Sequence, residues 1–283
     1  MEKVLVTGGA GYIGSNLCLE LKKKYDVYSL DNYSSGLESN HHPGVTYVKG
    51  ESKDIDSLIH FKPKYIFHLG EFSRVEKSFD YPDLVFESNI VGTLSVVKFA
   101  LKNDSKLIYA GSSTKFGDNG ENVDQSPYAW TKAKNTELVM NFNLWYGLKY
   151  AIVYFYNVYG KNEISTGSYA TLMGIYKNKI LKNETLEVVR PGTQKRNFTY
   201  IDDIILALLL VGENGDGDGY GIGNSESYSI IEIAEFFNGN IKMIPERRGN
   251  RMDSTCDTAK TRKLGWLPQT SVKDYISNKL YIN

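Results

Sequence analysis

Lys3-Val4-Leu5-Val6-Thr7-Gly8-Gly9-Ala10-Gly11-Tyr12-Ile13-Gly14, followed by a helical run and then by Val27-Tyr28-Ser29-Leu30-Asp31, decides the fold of this chain. Val4-Leu5-Val6 has no polar face, as a parallel strand covered on both sides requires. Glycines follow at once. Gly8 and Gly9 permit a tight turn, Gly11 lets backbone approach a pyrophosphate, and Gly14 lets the next helix lie close on the sheet. Residues 16–24 continue as an amphipathic helix, with Lys22, Lys23 and Lys24 expected in its last turn, where the macrodipole favours cations. The free amides at the helix start suit a diphosphate. Asp31 ends a second apolar strand, where a carboxylate accepts from ribose hydroxyls and repels a 2′-phosphate, so NAD is favoured over NADP. The glycine motif alone also occurs in structural turns. Flanked by strand, helix and terminal acid, it reads as a dinucleotide site.

Outward from this unit, strands and helices alternate. Strands are predicted at 45–48, 65–69, 107–110 and 151–155, with helices near 54–60, 84–101 and 126–146 between them. That alternation argues an α/β protein with a doubly wound parallel (Rossmann) sheet. Past about Gly160 the pattern loosens into a helix near 168–181, a strand at 186–190, the segment 196–203 and a helix ending at Val211. A smaller C-terminal substrate-binding lobe is expected there, covering the carboxyl edges of the strands. The division expected is 1–160 for the NAD-binding domain, with 196–224 returning to it, and 161–195 with 225–283 for the lobe. The glycine- and acid-rich stretch 212–223 reads as a loop.

The 283 residues are 41% hydrophobic and 23% charged, ordinary globular composition. Lys+Arg and Asp+Glu are both 33, so nothing suggests a nucleic-acid or polyanion surface. Cys18 and Cys256 stand far apart without metal-ligand spacing and read as free thiols of a reducing compartment. The chain opens directly into a strand, and no apolar run is judged long enough to span a bilayer, so a cytoplasmic location and no membrane partner are expected. The 84–101 helix is apolar nearly all round and the 126–146 helix is similarly rich. A homodimer through this helix pair is therefore expected.

Tyr128 and Lys132 stand at i and i+4 of one helix, so their side chains share a face. Ser112 lies just beyond the strand 107–110, at a carboxyl edge. A phenol titrates near pH 10 unperturbed, so one serving as base near neutrality needs about 4 kcal/mol of added phenolate stabilisation. A lysine ammonium and the positive nicotinamide together can supply it. Ser112 would hold the substrate oxygen as its proton leaves. Among 21 tyrosines a lone Tyr-x-x-x-Lys is unremarkable; behind a dinucleotide motif, with a serine at the strand edge, it reads as a catalytic set.

On these residues the chain resembles the extended short-chain dehydrogenase/reductases, in particular the NAD-dependent epimerase/dehydratase family typified by UDP-glucose 4-epimerase. The likeness also rests on Asp31-Asn32-Tyr33-Ser34-Ser35-Gly36, His68-Leu69, Asn89-Ile90-Val91-Gly92-Thr93, Tyr156-Asn157-Val158-Tyr159-Gly160, 196–203 and Leu264-Gly265-Trp266. It implies a tightly held NAD, contacted by Gly8, Gly11, Tyr12, Ile13, Gly14, Asp31, Asn32, Ser35, Gly36, Leu69, Tyr128, Lys132 and Tyr156. A nucleoside-diphosphate sugar is implied between the lobes, met by Ser113 and Asn157, with Arg196 and either Arg247 or Arg248 on its phosphates. By the same resemblance Tyr128 takes a proton from a sugar hydroxyl as hydride passes to NAD, giving a transient 4-ketosugar.

The departures narrow this. Water-eliminating members place Asp-Glu after the catalytic Ser/Thr, and decarboxylating members place Glu where Thr114 stands. Here Ser113-Thr114 follow Ser112, and a hydroxyl cannot replace a carboxylate as proton shuttle. A nucleotide-sugar 4-epimerase is the first reading. The alternative is a 4-dehydrogenase that releases the 4-ketosugar, with a 4,6-dehydratase or a non-catalytic NAD-binding protein behind it. Gly70-Glu71-Phe72-Ser73-Arg74 replaces the usual small residues and suggests a Glu71–Arg74 charged pair at the pocket. Tyr154 stands where arginine is usual, and the loop 117–128 is short. All three suggest an unusual sugar, such as a GDP-linked hexose or heptose.

Overall fold

The computed structural model describes residues 1–116, 125–167, 169–246, 252 and 256–279. Its centre is a seven-stranded sheet. Six strands are β1 (Lys3–Thr7), β2 (Asp26–Asp31), β3 (Val45–Lys49), β4 (Tyr65–His68), β5 (Lys106–Ser112) and β6 (Tyr150–Phe155), and the seventh is Gly217–Ile222. In space the seventh strand comes first, then β6, β5, β4, β1, β2 and β3. Every neighbouring pair is parallel, with Val4 opposite Val27 on one side and Tyr65 on the other. Strand order reverses at β1, so the β1/β4 boundary is the switch point where open α/β sheets bind ligands.

The period of two along β1 divides the core. Val4 and Val6 face one side, with Leu17 and Leu21 of the helix Tyr12–Leu21 and Ile204, Leu208 and Val211 of the helix Ile201–Asn214. Leu5 faces the other, with Val96, Val97 and Phe99 of the helix Pro82–Lys102 and Val139 of the helix Pro127–Tyr146. A third cluster joins the parallel pair Leu186–Val189 and Ile241–Ile244 to the helices Leu172–Leu181 and Ile230–Phe236. Trp266 ties the C-terminal stretch to the helix Ile201–Asn214, its indole N–H donating to the Asp203 carbonyl at 2.8 Å.

Several expectations need correction. The stretch read as a loop contains the edge strand Gly217–Ile222. Its glycines have two causes: Gly217 and Gly219 sit at φ +75° and +98°, and a Cβ on Gly221 would lie 1.9 Å from the Asp257 carbonyl oxygen. Lys22 caps the first helix, so the three lysines follow its last turn rather than fill it. Ser112 is the last residue of β5, not one beyond it. The helix Pro82–Lys102 is long and apolar enough, by length and composition, to cross a membrane. In this fold Val96, Val97 and Phe99 pack it onto the sheet and Val85 and Asn89 are buried, while Leu84, Phe86 and Val91 stay exposed.

Candidate active site

The turn after β1 is built on close contacts. Gly8 sits at φ +74°, where its Cβ would lie 2.9 Å from Gly70 of the loop after β4. A Cβ on Gly14 would lie 2.0 Å from the Gly8 carbonyl oxygen. Gly9 contributes differently from expectation: its φ is ordinary, and what excludes a side chain is Ser29 on β2, whose Oγ would lie 2.4 Å away. Asp31 is buried, and its carboxylate accepts from the Ala10 amide at 2.8 Å and the Tyr33 amide at 2.8 Å. Each oxygen keeps lone-pair capacity for a hydroxyl.

A cavity of about 470 Å³ opens here, lined by Gly8, Gly11, Tyr12, Ile13, Gly14, Asp31, Asn32, Ser35 and Leu69, and further along by Tyr128, Lys132 and Asn157. The glycine cradle, the unpaired first-turn amides and the acid at the end of β2 together fit an adenine dinucleotide. Gly36 stands behind this wall, where a Cβ would lie 2.9 Å from both Ala10 and Asp31.

The helix carrying Tyr128 and Lys132 begins cleanly. Ser126 caps it by accepting from the Ala129 amide at 3.1 Å, Pro127 occupies the first turn, and Gly147 ends it at φ +75°. The Tyr128 hydroxyl donates to Ser112 Oγ at 3.3 Å, and Ser112 also accepts from the Thr114 hydroxyl at 2.8 Å. Serine and phenol thus meet at the carboxyl edge of β5.

Lys132 makes contacts that the spacing alone does not reveal. Its ammonium donates to the Ala110 carbonyl and pairs with the Glu71 carboxylate. The two side chains are 6% and 2% exposed, so the pair lies out of water. The expected Glu71–Arg74 pair is therefore replaced by Glu71–Lys132. Glu71 Oε1 further accepts from Thr93 at 2.9 Å, Tyr109 at 3.2 Å and Asn135 at 2.9 Å. Because Thr93 gives its proton to Glu71, it accepts at 3.0 Å from His68 Nε2–H, and His68 Nδ1 then accepts from Thr7 at 2.7 Å. Burial pushes the His68 imidazole down to about 4, so it is neutral at pH 7. This relay links β1, β4, β5 and both covering helices to Lys132. Asn89 fixes the loop itself, exchanging bonds of 2.8 and 3.2 Å with the Phe72 backbone.

Arg74 stands on the same loop and in the cavity wall. Its guanidinium donates to the Tyr169 carbonyl and lies 5.5 Å from that ring's centre. Burial pulls it below the usual arginine range.

The remaining expected residues divide. Asn157 lines the cavity at φ +33° and donates to the Asn197 carbonyl at 2.9 Å. Ser113 is buried beside Ser112 and outside the cavity lining. Tyr156 is 1% exposed and packs in the core, so its side chain is not in the wall. Arg196 lies on the strand Lys195–Asn197, outside the lining, with Nη1 donating to the Lys195 and Met252 carbonyls at 2.7 and 3.4 Å. Arg247 and Arg248, and most of the loop 117–128, lie outside the described residues. Tyr154 donates to Asp218 at 2.6 Å and is buried, a contact between β6 and the edge strand. Both cysteines are free.

Comparison with known proteins bears on family and fold. The model of the NAD dependent epimerase/dehydratase family matches residues 4–223. The chain is 31% identical to a putative UDP-glucose 4-epimerase of Methanocaldococcus jannaschii, covering 96% of this chain and 95% of that one. The solved UDP-glucose 4-epimerase of Thermotoga maritima, with UDP-glucose, superposes with a TM-score of 0.89 at 26% identity, over 98% of this chain and 97% of that one. The UDP-N-acetylglucosamine 4-epimerase of Methanobrevibacter ruminantium M1, in complex with UDP-N-acetylmuramic acid, gives 0.89 at 27% identity, over 99% and 96%.

Proposed function

The chain belongs to the NAD-dependent epimerase/dehydratase family and is an NAD-dependent enzyme that modifies nucleotide sugars; from that premise we propose that it is a UDP-sugar 4-epimerase. The observation that carries the reaction is the Tyr128 phenol, in the wall of the cavity that begins at the glycine turn, hydrogen-bonded to Ser112 at the carboxyl edge of β5 just behind that wall. Ser113 and Thr114 in place of acids favour inversion over elimination or decarboxylation, which need an added proton shuttle. Uridine is chosen because the similar proteins are named for UDP-sugars.

Bound NAD would supply the hydride acceptor and donor for C4 of the sugar. Asp31 would hold its adenosine ribose, and the glycine turn its diphosphate. Tyr128 takes the proton of the 4-hydroxyl as hydride leaves, and Ser112 holds the oxygen while the 4-ketone forms. Once the ketosugar has turned over, Tyr128 gives the proton back to the 4-oxygen as hydride adds to the other face of C4. Lys132, anchored by Glu71, positions the helix face on which the phenol stands. Asn157 contacts the sugar nucleotide. Residues 161–195 and 225–283 make up the sugar-binding lobe. The exposed apolar side chains of Leu84, Phe86, Val91, Met140, Leu144 and Trp145 pair two copies of the chain, so sedimentation should give twice the 31.9 kDa mass.

The test incubates purified protein with NAD and UDP-glucose, UDP-galactose, their N-acetylated forms or UDP-glucuronate. Proton NMR follows inversion and absorbance at 340 nm follows NADH. Inversion without net NADH is the expected result. Stoichiometric NADH with a released ketosugar makes the protein a 4-dehydrogenase instead. No turnover and no thermal shift with any of them refutes the proposal.

A further inference from the structure

The cations of the cavity wall are matched by carboxylates with one exception. Among the described residues three cations line it. Lys53 pairs with Glu87 at 2.6 Å and Lys132 pairs with Glu71. Arg74 meets no carboxylate among those residues. Its guanidinium has the Tyr169 carbonyl and ring, and its Nε is buried with no hydrogen-bond partner. Of the two acids that flank it in sequence, Glu76 makes no ion pair with it, and Glu71 is held by Lys132, Thr93, Tyr109 and Asn135. A desolvated guanidinium left unneutralised is costly, and its five donors in a fixed fork match a carboxylate.

Placement narrows which anion it serves. The loop that carries Arg74 is pinned against the helix of Tyr128: Glu71 pairs with Lys132, one turn on from the phenol, and Asn89 bonds both the Phe72 backbone at 2.8 Å and the Thr131 hydroxyl at 3.0 Å. Arg74 is therefore at the end of the cavity where the 4-hydroxyl reacts, not at the Gly11–Gly14 end that suits a dinucleotide's diphosphate. In a nucleotide sugar the substrate's own diphosphate hangs from C1, across the ring from C4. A hexuronate carries its carboxylate on C5, the neighbour of C4.

Building on the proposed nucleotide-sugar reaction, we propose that Arg74 binds a carboxylate on the sugar, so that the preferred substrate is an acidic nucleotide sugar. The neutral small residue usual after His-Leu in the family leaves no such charge. Here the guanidinium is held in place by Tyr169, with the loop pinned by Asn89. The bound carboxylate takes the Nε–H and one terminal N–H as a bidentate pair.

The test titrates full-length, NAD-loaded protein calorimetrically with UDP, UDP-glucose and UDP-glucuronate, in wild type, Arg74→Gln and Arg74→Lys. Wild type should bind UDP-glucuronate at least tenfold more tightly than UDP-glucose. Arg74→Gln should bring the two within threefold of each other while UDP and UDP-glucose affinities stay within threefold of wild type. Arg74→Lys should keep part of the preference, and with the wild-type ratio it decides the matter if Arg74→Gln does not fold. Equal wild-type affinities for the two sugars overturn the inference and leave the proposed function standing. So does an equal loss for all three ligands in Arg74→Gln, which would put the guanidinium on the diphosphate. Binding of none of the three sinks the proposed function, and this inference with it.

Discussion

Removing the Glu71 carboxylate tests the buried network most sharply. In Glu71→Ala the Lys132 ammonium, 6% exposed, keeps the Ala110 carbonyl and loses its counter-charge. Thr93, Tyr109 and Asn135 lose an acceptor at the same time. Breaking a buried pair from one side costs about 3–5 kcal/mol, because the partner charge stays desolvated. Unfolding entropy of about 2.1 cal/mol/K per residue gives about 0.6 kcal/mol/K over 283 residues, so Tm should fall by about 5–8 °C. Taking away both charges relieves the penalty, and Glu71→Ala/Lys132→Met should recover on the order of 2–3 kcal/mol of the loss. Guanidinium unfolding of the NAD-free protein, followed by circular dichroism and fluorescence, measures each corner of the cycle. A loss below about 1 kcal/mol in Glu71→Ala, or a double variant no better than the single, refutes a buried pair of this kind.

Two further outcomes follow from the same coordinates. Gly14→Ala would drive a Cβ to within 2.0 Å of the Gly8 carbonyl, so the turn must open; stability should drop by about 1–3 kcal/mol and NAD affinity by at least tenfold, and calorimetry showing unchanged affinity counts against the cradle. Two buried groups give stability opposite pH slopes. His68 is held down to about 4, so as pH falls below 6.5 the unfolded chain takes the proton first and about 3 kcal/mol is lost by pH 4. Burial pushes Glu163 up to about 7, so the unfolded chain ionises first as pH rises past 4.5, costing about 2 kcal/mol by pH 7 after allowing for partial exposure. Glu163→Gln should therefore raise Tm by about 3 °C at pH 8 and leave it nearly unchanged at pH 4.5. Equal shifts at both pH values contradict the assignment.

Much of this protein could be read locally. The strand, glycine turn, helix and terminal acid of 3–31 are contiguous, and Tyr128 with Lys132 share a helix face by period alone. Those features carried the fold and the proposed catalytic pair. What escaped depends on distant neighbours. Gly217–Ile222 looks like a loop until β6 pairs with it and the Asp257 carbonyl explains Gly221. The partner of Lys132 is 61 positions away, so Glu71 stood out only as a charge where small residues are usual. Arg196 reads as a phosphate ligand because it is basic in a familiar motif; it stands on a strand paired with Ser227–Ser229 and is not among the residues that line the cavity.

The most direct measurement is Tyr128→Phe, loaded with NAD and mixed with the turned-over UDP-sugar in a single turnover. If the phenol is the base, NAD and UDP-sugar affinities stay within about threefold while transient NADH formation at 340 nm and inversion both slow by about 10²–10⁴. A rate within fivefold of wild type, with binding intact, would show that some other group takes the proton.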